Sequence, residues 1–291
     1  MIDGVINFDK PEGISSHTAV QRIKSILKIG KAGHAGTLDP LAEGVLLVLA
    51  GRATKLTPYL AALDKKYTAV VKLGEHTDTL DREGKIIGTA PTTGINSEAV
   101  TQALKAFTGV IAQTPPMYSA LKVNGTPLYK LARKGLEVER KQRTITIFDI
   151  RLTAFELPYI TIDIHCSKGT YVRSLCSDLA ESLGSCGYVY ALRRVSVGAF
   201  DITDSCGLDT LGDGCFHTMD ETLSHLGEKT LAQEEQKRLL NGAVVEDSTH
   251  GYENGAALRL KDTRGNLLAI GTYSDNKIKL ITLLGKSPRN S

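Results

Sequence analysis

Gly33-His34-Ala35-Gly36-Thr37-Leu38-Asp39-Pro40-Leu41-Ala42-Glu43-Gly44 runs straight into V-L-L-V-L-A at residues 45–50. Gly33 and Gly36 permit backbone angles that a β-carbon forbids. Pro40 fixes its own φ and pushes Asp39 toward an extended conformation. Residues 33–44 therefore read as a shaped loop. The apolar run behind it has strand length and no alternation, as expected of a strand buried on both faces. A short carboxylate on a kinked loop that enters such a strand is well placed for chemistry. An Asp before Pro is equally at home in an ordinary turn, bonding its own backbone, and the residues alone leave both readings open. A phosphate cradle fits less well, because no G-K-[ST] follows and no strand is expected before the loop.

The chain has 291 residues, room for one large domain and a small one. No apolar run approaches membrane-spanning length. The first ten residues lack the charged start and apolar region of a signal peptide, so the expected location is the cytoplasm. The five cysteines are odd in number and form no C-x-x-C, which argues against a disulfide framework or a structural zinc. The seven histidines form no H-x-x-x-H, so no metal is expected. Formal net charge is +3, unevenly spread. Residues 115–145 carry seven basic side chains (Lys122, Lys130, Arg133, Lys134, Arg140, Lys141, Arg143) against two acidic ones, a net +5 that leaves −2 for the rest. Such a patch is either a solvated face or an electrostatic footprint for nucleic acid.

Several elements are predicted around the loop. Ser15 or Ser16 caps a helix reaching about Leu27, with Val20, Ile23 and Leu27 as its stripe. Residues 53–63 form a short helix broken near Pro58, and residues 66–73 alternate, with Tyr67, Ala69, Val71 and Leu73 on one face. Residues 75–88 are polar and turn-rich. A helix over 98–107 is capped by Ser97, and Thr126-Pro127 opens another that Gly135 ends. Prolines and glycines bracket the basic segment, as in an insertion. Strands follow at 144–153 and 159–166, a helix at 169–183 and a strand at 191–200. Arg173 lies off that helix's apolar stripe, in the first turn, where a cation opposes the helix dipole and so points to a facing anion. Residues 207–226 read as a connector with a short helix, 231–240 as a helix, and 241–285 as a small β-barrel.

K-P-E-G-I-S-S (10–16), K-A-G-H-A-G-T-L-D-P-L-A-E-G (31–44), K-K-Y (65–67), P-P-M-Y-S-A-L-K (115–122), C-S-K-G-T-Y-V-R (166–173) and L-R-R (192–194) together resemble the bacterial TruB family of tRNA pseudouridine-55 synthases. The match in order and spacing covers nearly the whole chain. Ser15 departs from the family's more frequent Thr. The resemblance implies an α+β fold, a mixed, mainly antiparallel sheet flanked by helices and loops, with the cleft across its middle. It divides the chain into a catalytic domain (1–227), with residues 115–145 as a mobile basic thumb, and a PUA-like RNA-binding domain (228–291).

The implied reaction isomerises uridine to pseudouridine in the T-loop of tRNA. The implied enzyme is stand-alone and monomeric, with no cofactor, metal or protein partner. Breaking N1–C1′ and joining C5 to C1′ changes no oxidation state. It calls for a carboxylate as nucleophile, and the resemblance assigns Asp39. A carboxylate in a cleft that excludes water needs a cation beside it to stay charged, the part assigned to Arg173. The target base must be flipped out at a cost of a few kcal/mol. Tyr67 would stack on it and help move a proton. Tyr171 and Leu192 would line the uracil pocket, and His34 would fill the space the base leaves. Lys122, Lys130, Arg133, Lys134, Arg140 and Lys141 would contact phosphates. Two other readings stand beside this one: a guide-RNA-dependent relative inside a ribonucleoprotein, and an RNA-binding module whose carboxylate is structural. A nucleoside hydrolase is disfavoured, since Glu43 is too near Asp39 to serve as an opposed acid.

Overall fold

The computed structural model describes residues 2–119, 121–123, 125–247 and 251–285, with the backbone alone for Lys122 and Asp213. The chain opens with β1 (Gly4–Lys10), α1 (Ser16–Ile26), β2 (Ala32–Ala35) and β3 (Ala42–Ala50). A 3-10 turn at Gly51–Leu56 leads to α2 (Thr57–Ala61), β4 (Lys65–Leu73) and the hairpin β5 (Glu75–Thr77) and β6 (Ile86–Thr89). Next come α3 (Ser97–Lys105), β7 (Gly109–Gln113), a small hairpin of β8 (Lys122–Val123) and β9 (Thr126–Pro127), and α4 (Leu128–Ala132). The long hairpin β10 (Arg143–Glu156) and β11 (Tyr159–Cys166) precedes α5 (Val172–Ser182), β12 (Gly187–Val197), β13 (Phe200–Asp201) and β14 (Phe216–His217). The last part holds β15 (Gly227–Thr230), α6 (Gln233–Leu240), β16 (Val245–Glu246), β17 (Ala257–Lys261), β18 (Leu267–Ser274) and β19 (Lys277–Leu283).

One ten-stranded sheet runs β14-β1-β3-β12-β4-β11-β10-β7, with β2 beside β3 and β13 beside β12. Its strand pairings are antiparallel except where β12 meets β3 in parallel. Two hydrophobic periodicities explain the layering. β3 is buried at every position but Glu43. Its Leu46 and Val48 enter a core with α1, α3 and α5. Its Val45, Leu47 and Leu49 enter a second core with Leu56, Leu60, Val197, Ile270 and Leu284 on the opposite face. A strand with apolar contacts on both sides reads as a continuous run, and each such side chain contributes about 1.5–3 kcal/mol. β4 and β11 are covered on one face only and alternate strictly. The five-stranded sheet β15-β17-β18-β19-β16 has its own core with α6. Arg52 and Lys55 tie it to the large sheet by donating to the carbonyls of Leu284 and Leu283 at 2.8 and 2.7 Å.

Several local expectations are corrected. Half of the shaped loop is strand, residues 33–35 in β2 and 42–44 in β3, and the pairing of β2 with β3 means that a strand does precede the Asp39 turn. Pro58 sits in the first turn of α2 rather than breaking a helix, since its missing N–H is harmless there. Asn96, not Ser97, caps α3, accepting from the Ala99 amide at 2.8 Å. Thr126-Pro127 pairs with Lys122-Val123, and the helix expected to open there follows at Leu128, with Pro127 at the cap position rather than in the first turn and no side-chain cap bond. Residues 75–88 contain a hairpin rather than turns alone. α5 begins at Val172, because Gly169 takes φ +83° and the Thr170 hydroxyl turns back to the Ser167 carbonyl. Among the cysteines, Cys206 and Cys215 are joined in one disulfide.

Gly44 is where the parallel contact closes. It has φ +102°, and a Cβ there would lie 2.2 Å from the Arg194 carbonyl oxygen. Gly44→Ala is expected to lose about 2–4 kcal/mol and to lower the melting temperature by on the order of 5–10 °C. Gly88→Ala, which meets nothing within 4 Å, should move it by no more than about 2 °C. Differential scanning calorimetry of the two variants checks this.

Candidate active site

The parallel register sets Leu192, Arg193 and Arg194 against Ala42, Glu43 and Gly44. The Asp39 turn emerges just before this contact and is clamped from below. Ser16 Oγ accepts from the Leu38 amide at 2.8 Å and donates to the Leu38 carbonyl at 3.0 Å. The Gly13 amide donates to the Pro40 carbonyl at 2.8 Å, and the Ala42 amide to that of Asp39 at 3.1 Å. The first loop is held in turn by Lys10, whose buried ammonium donates to the Pro11 and Ile14 carbonyls at 2.8 Å each. The turn thus sits on a framework of backbone hydrogen bonds and not on its own propensity.

Arg173, in the first turn of α5, meets Asp39 with Nε–Oδ2 2.9 Å. Its Nη1 reaches Asp81 Oδ2 at 3.2 Å and the Thr79 carbonyl at 2.9 Å. Its Nη2 donates to the Tyr118 carbonyl at 2.7 Å. The Arg173 and Asp81 side chains are each 6 % exposed, that of Asp39 38 %. One carboxylate is sealed behind the guanidinium; the other faces the opening. Burial pushes the Asp81 carboxyl above its ordinary value, against the Thr79 hydroxyl and the Arg173 charge.

Asp39 and Arg173 line a cavity of about 290 Å³ together with Tyr67, Tyr171, Leu192, Lys65 and Arg194. The structure therefore gathers five of the expected residues, Asp39, Tyr67, Tyr171, Arg173 and Leu192, around one space. Tyr67 reaches it from the buried face of β4. Burial raises its phenol above the usual value, and Arg194 beside it opposes that. Tyr171 is pinned through its backbone by Gln113, at 2.8 and 3.0 Å. His34 lies on β2 outside this lining, with Nδ1 buried and unpaired among the described residues. Burial, then the charges of Arg194 and His17, hold its imidazole below the ordinary value.

Of the basic insertion, Lys130, Arg133, Lys134 and Lys141 are exposed. Arg140 is half-buried and turns to the Pro115 carbonyl at 3.1 Å. The side chain of Lys122 lies outside the described residues. The root of the insertion is anchored to α5 by Ser174 Oγ donating to the Thr114 carbonyl at 2.9 Å and by the Arg173–Tyr118 bond.

Four charged groups escape the reading from sequence. Asp81 sits in a polar turn with no local mark. Lys10, Lys65 and Arg194 are buried cations, and all three fall inside the quoted motifs, which is the signal that could have found them. Burial, with Arg194 next, brings the Lys10 and Lys65 ammonium groups down to about 8. Among the described residues, no group of three or more His, Cys, Asp or Glu could hold a metal ion.

Residues 24–172 match the family described as TruB family pseudouridylate synthase (N terminal domain), and residues 173–234 match the tRNA pseudouridylate synthase B C-terminal domain. A tRNA pseudouridine synthase B of Clostridium kluyveri is 40 % identical over 293 residues, covering 97 % of this chain and 99 % of that one. Another, from Neisseria meningitidis serogroup A, is 47 % identical over 221 residues, 76 % of this chain and 70 % of its own. Among solved structures, that of a Cbf5-Nop10-Gar1 complex is similar at TM-score 0.75 and 25 % identity, over 97 % of this chain and 85 % of the other.

Lys65 gives a pH test of this electrostatic arrangement. Its ammonium, about 8 in the fold, returns to 10.5 on unfolding, so between those values the unfolded chain binds the extra proton and stability rises with pH. Wild type should gain stability relative to Lys65→Met as pH is raised from about 8 toward 10.5, with no such trend between about pH 6 and 7.5. Urea unfolding of both proteins across the series reads the difference, in which the thiols and phenols that do not interact with Lys65 cancel.

Proposed function

The chain belongs to the TruB family of pseudouridylate synthases, and we propose that it isomerises the uridine at position 55, in the T-loop of tRNA, with Asp39 as nucleophile. The observation that carries this reading is the half-exposed Asp39 carboxylate held by Arg173 at a cavity walled by Tyr67, Tyr171 and Leu192. The base is flipped out of the T-loop into that cavity, and its unstacking is offset by contact with the ring of Tyr67. Asp39 manages the sugar while N1–C1′ breaks, the base turns, and C5 joins C1′. His34 fills the place the base vacates. The proton lost from C5 and the proton gained at N1 balance, so no redox group or donor is required.

Binding follows from charge. The exposed Lys130, Arg133, Lys134 and Lys141, with Lys122 and Arg140, contact phosphates, and the insertion closes over the RNA as a thumb. Recognition rests on the shape of the T-arm and its extruded bases. Residues 228–291, which carry the smaller sheet but for Gly227, act as a PUA-like RNA-binding domain. The enzyme works alone in the cytoplasm as a monomer, without the partners that accompany the Cbf5 of the similar structure. Its own basic insertion supports this, since it supplies an RNA grip within the chain.

Asp39→Asn should bind tRNA within about threefold of wild type and form no pseudouridine in mapped RNA; turnover at the wild-type rate overturns the mechanism. Wild type should modify a bare T-arm RNA with no added protein, and dependence on a guide RNA or partner would favour the ribonucleoprotein reading. Replacing Lys130, Arg133, Lys134 and Lys141 by Ala should reduce the slope of log K against log salt by about 3, roughly 0.7–0.9 for each phosphate no longer neutralised.

A further inference from the structure

Arg194 is the largest fully buried side chain among the described residues, at 1 % exposure. Burying a guanidinium is unfavourable unless it is compensated, yet Arg194 forms no ion pair among the described residues. Its Nε donates to the Val45 carbonyl at 2.7 Å and its Nη2 to the Gly36 carbonyl at 3.1 Å. Gly36, with φ +88°, lies over it, and a Cβ there would stand 3.6 Å from Nη1. The guanidinium is thus bolted to the backbone at both ends of the Asp39 turn, and Arg194 of β12 pairs directly across the sheet with Tyr67 of β4, both lining the cavity. Arg173, by contrast, spends its donors on carboxylates and carbonyls and serves Asp39.

We propose that Arg194 is a positioning residue that acts through Tyr67, a fixed buried cation that aims the phenol oxygen into the cavity and makes it the acceptor of the proton leaving C5. This rests on the isomerase reading above. The step balances: once C5 is joined to C1′, the C5–H electron pair restores the C5=C6 double bond, the proton passes to the phenolate oxygen, and N1 takes up one proton. A buried phenol resists ionisation, and a neighbouring guanidinium favours it. Arg194, Cys166 and Asp39 bear most on Tyr67, and of these three Arg194 is the cation, while Arg173 in the same lining is paired with Asp39 and Asp81. The other buried cations near Arg194, Lys10 and Lys65, are engaged by the carbonyls of Pro11 and Ile14 and of Ala61 and Leu63.

The test is a double-mutant cycle on full-length protein with T-arm RNA, read by single-turnover tritium release from C5 and by RNA affinity. Arg194→Met should slow release by about tenfold or more at neutral pH, with affinity within about twofold. It should also move the rising limb of the pH–rate profile to higher pH, and Arg194→Lys should recover part of both. Combined with Tyr67→Phe, Arg194→Met should add no further loss. An unchanged pH profile, or losses that multiply in the double variant, assigns Arg194 to the scaffold and overturns the proposal. So does a failure of Arg194→Met, Arg194→Gln and Arg194→Lys alike to fold, judged by circular dichroism. If wild type itself releases no tritium from this RNA, the isomerase reading fails first, and the two failures are told apart.

Discussion

A single guanidinium shared by two carboxylates organises the centre of this protein. Arg173 bonds Asp39 on one side and Asp81 on the other, and fills its remaining geometry with the Thr79 and Tyr118 carbonyls. Five donors in a rigid plane can satisfy four acceptors from four separate residues, which a lysine could not do. Removing the cation would strand Asp81 inside, a loss on the order of 3–5 kcal/mol. The contact is therefore scaffold and site together. Asp81 absorbs the orienting bond and is closed off, and Asp39 keeps its other face open. Two negative charges against one positive also make the buried ammonium and guanidinium groups nearby easier to keep.

The same bond joins the cleft to the basic insertion. Tyr118 belongs to the root of that segment, and its neighbours Gln113 and Thr114 bond Tyr171 and Ser174 at the start of α5. The insertion and the element that supplies Arg173 share one anchor. Any rearrangement of the insertion pivots beyond Ser119 or breaks these bonds.

Much of this is legible in the chain. β3, β4 and β11 stand out because a two-sided strand and a one-sided strand have different hydrophobic periods. Arg173 is marked by its place off the apolar stripe of α5. What stays hidden is tertiary. Asp81 sits in a polar turn and becomes special only because α5 delivers a guanidinium to it. Arg194 lies in a recognised string, but nothing in L-R-R says which arginine points inward; the register with Gly44 decides that, sending Arg193 to Asp9 and Glu43 instead. The Cys206–Cys215 pair is masked by an odd cysteine total, since proximity across a loop is not written in a count. β2 reads as loop because four short residues carry too little periodicity; its pairing with β3 makes it a strand.

The double burial of β3 has a dynamic consequence. Its backbone bonds to neighbours on both edges, β1 on one and β12 followed by β2 on the other, while apolar layers seal both faces. Heavy water reaches such amides only when the whole sheet opens. The Asp39 carboxylate is thus tethered to a segment closed on both edges and both faces, a stationary post beside the cavity.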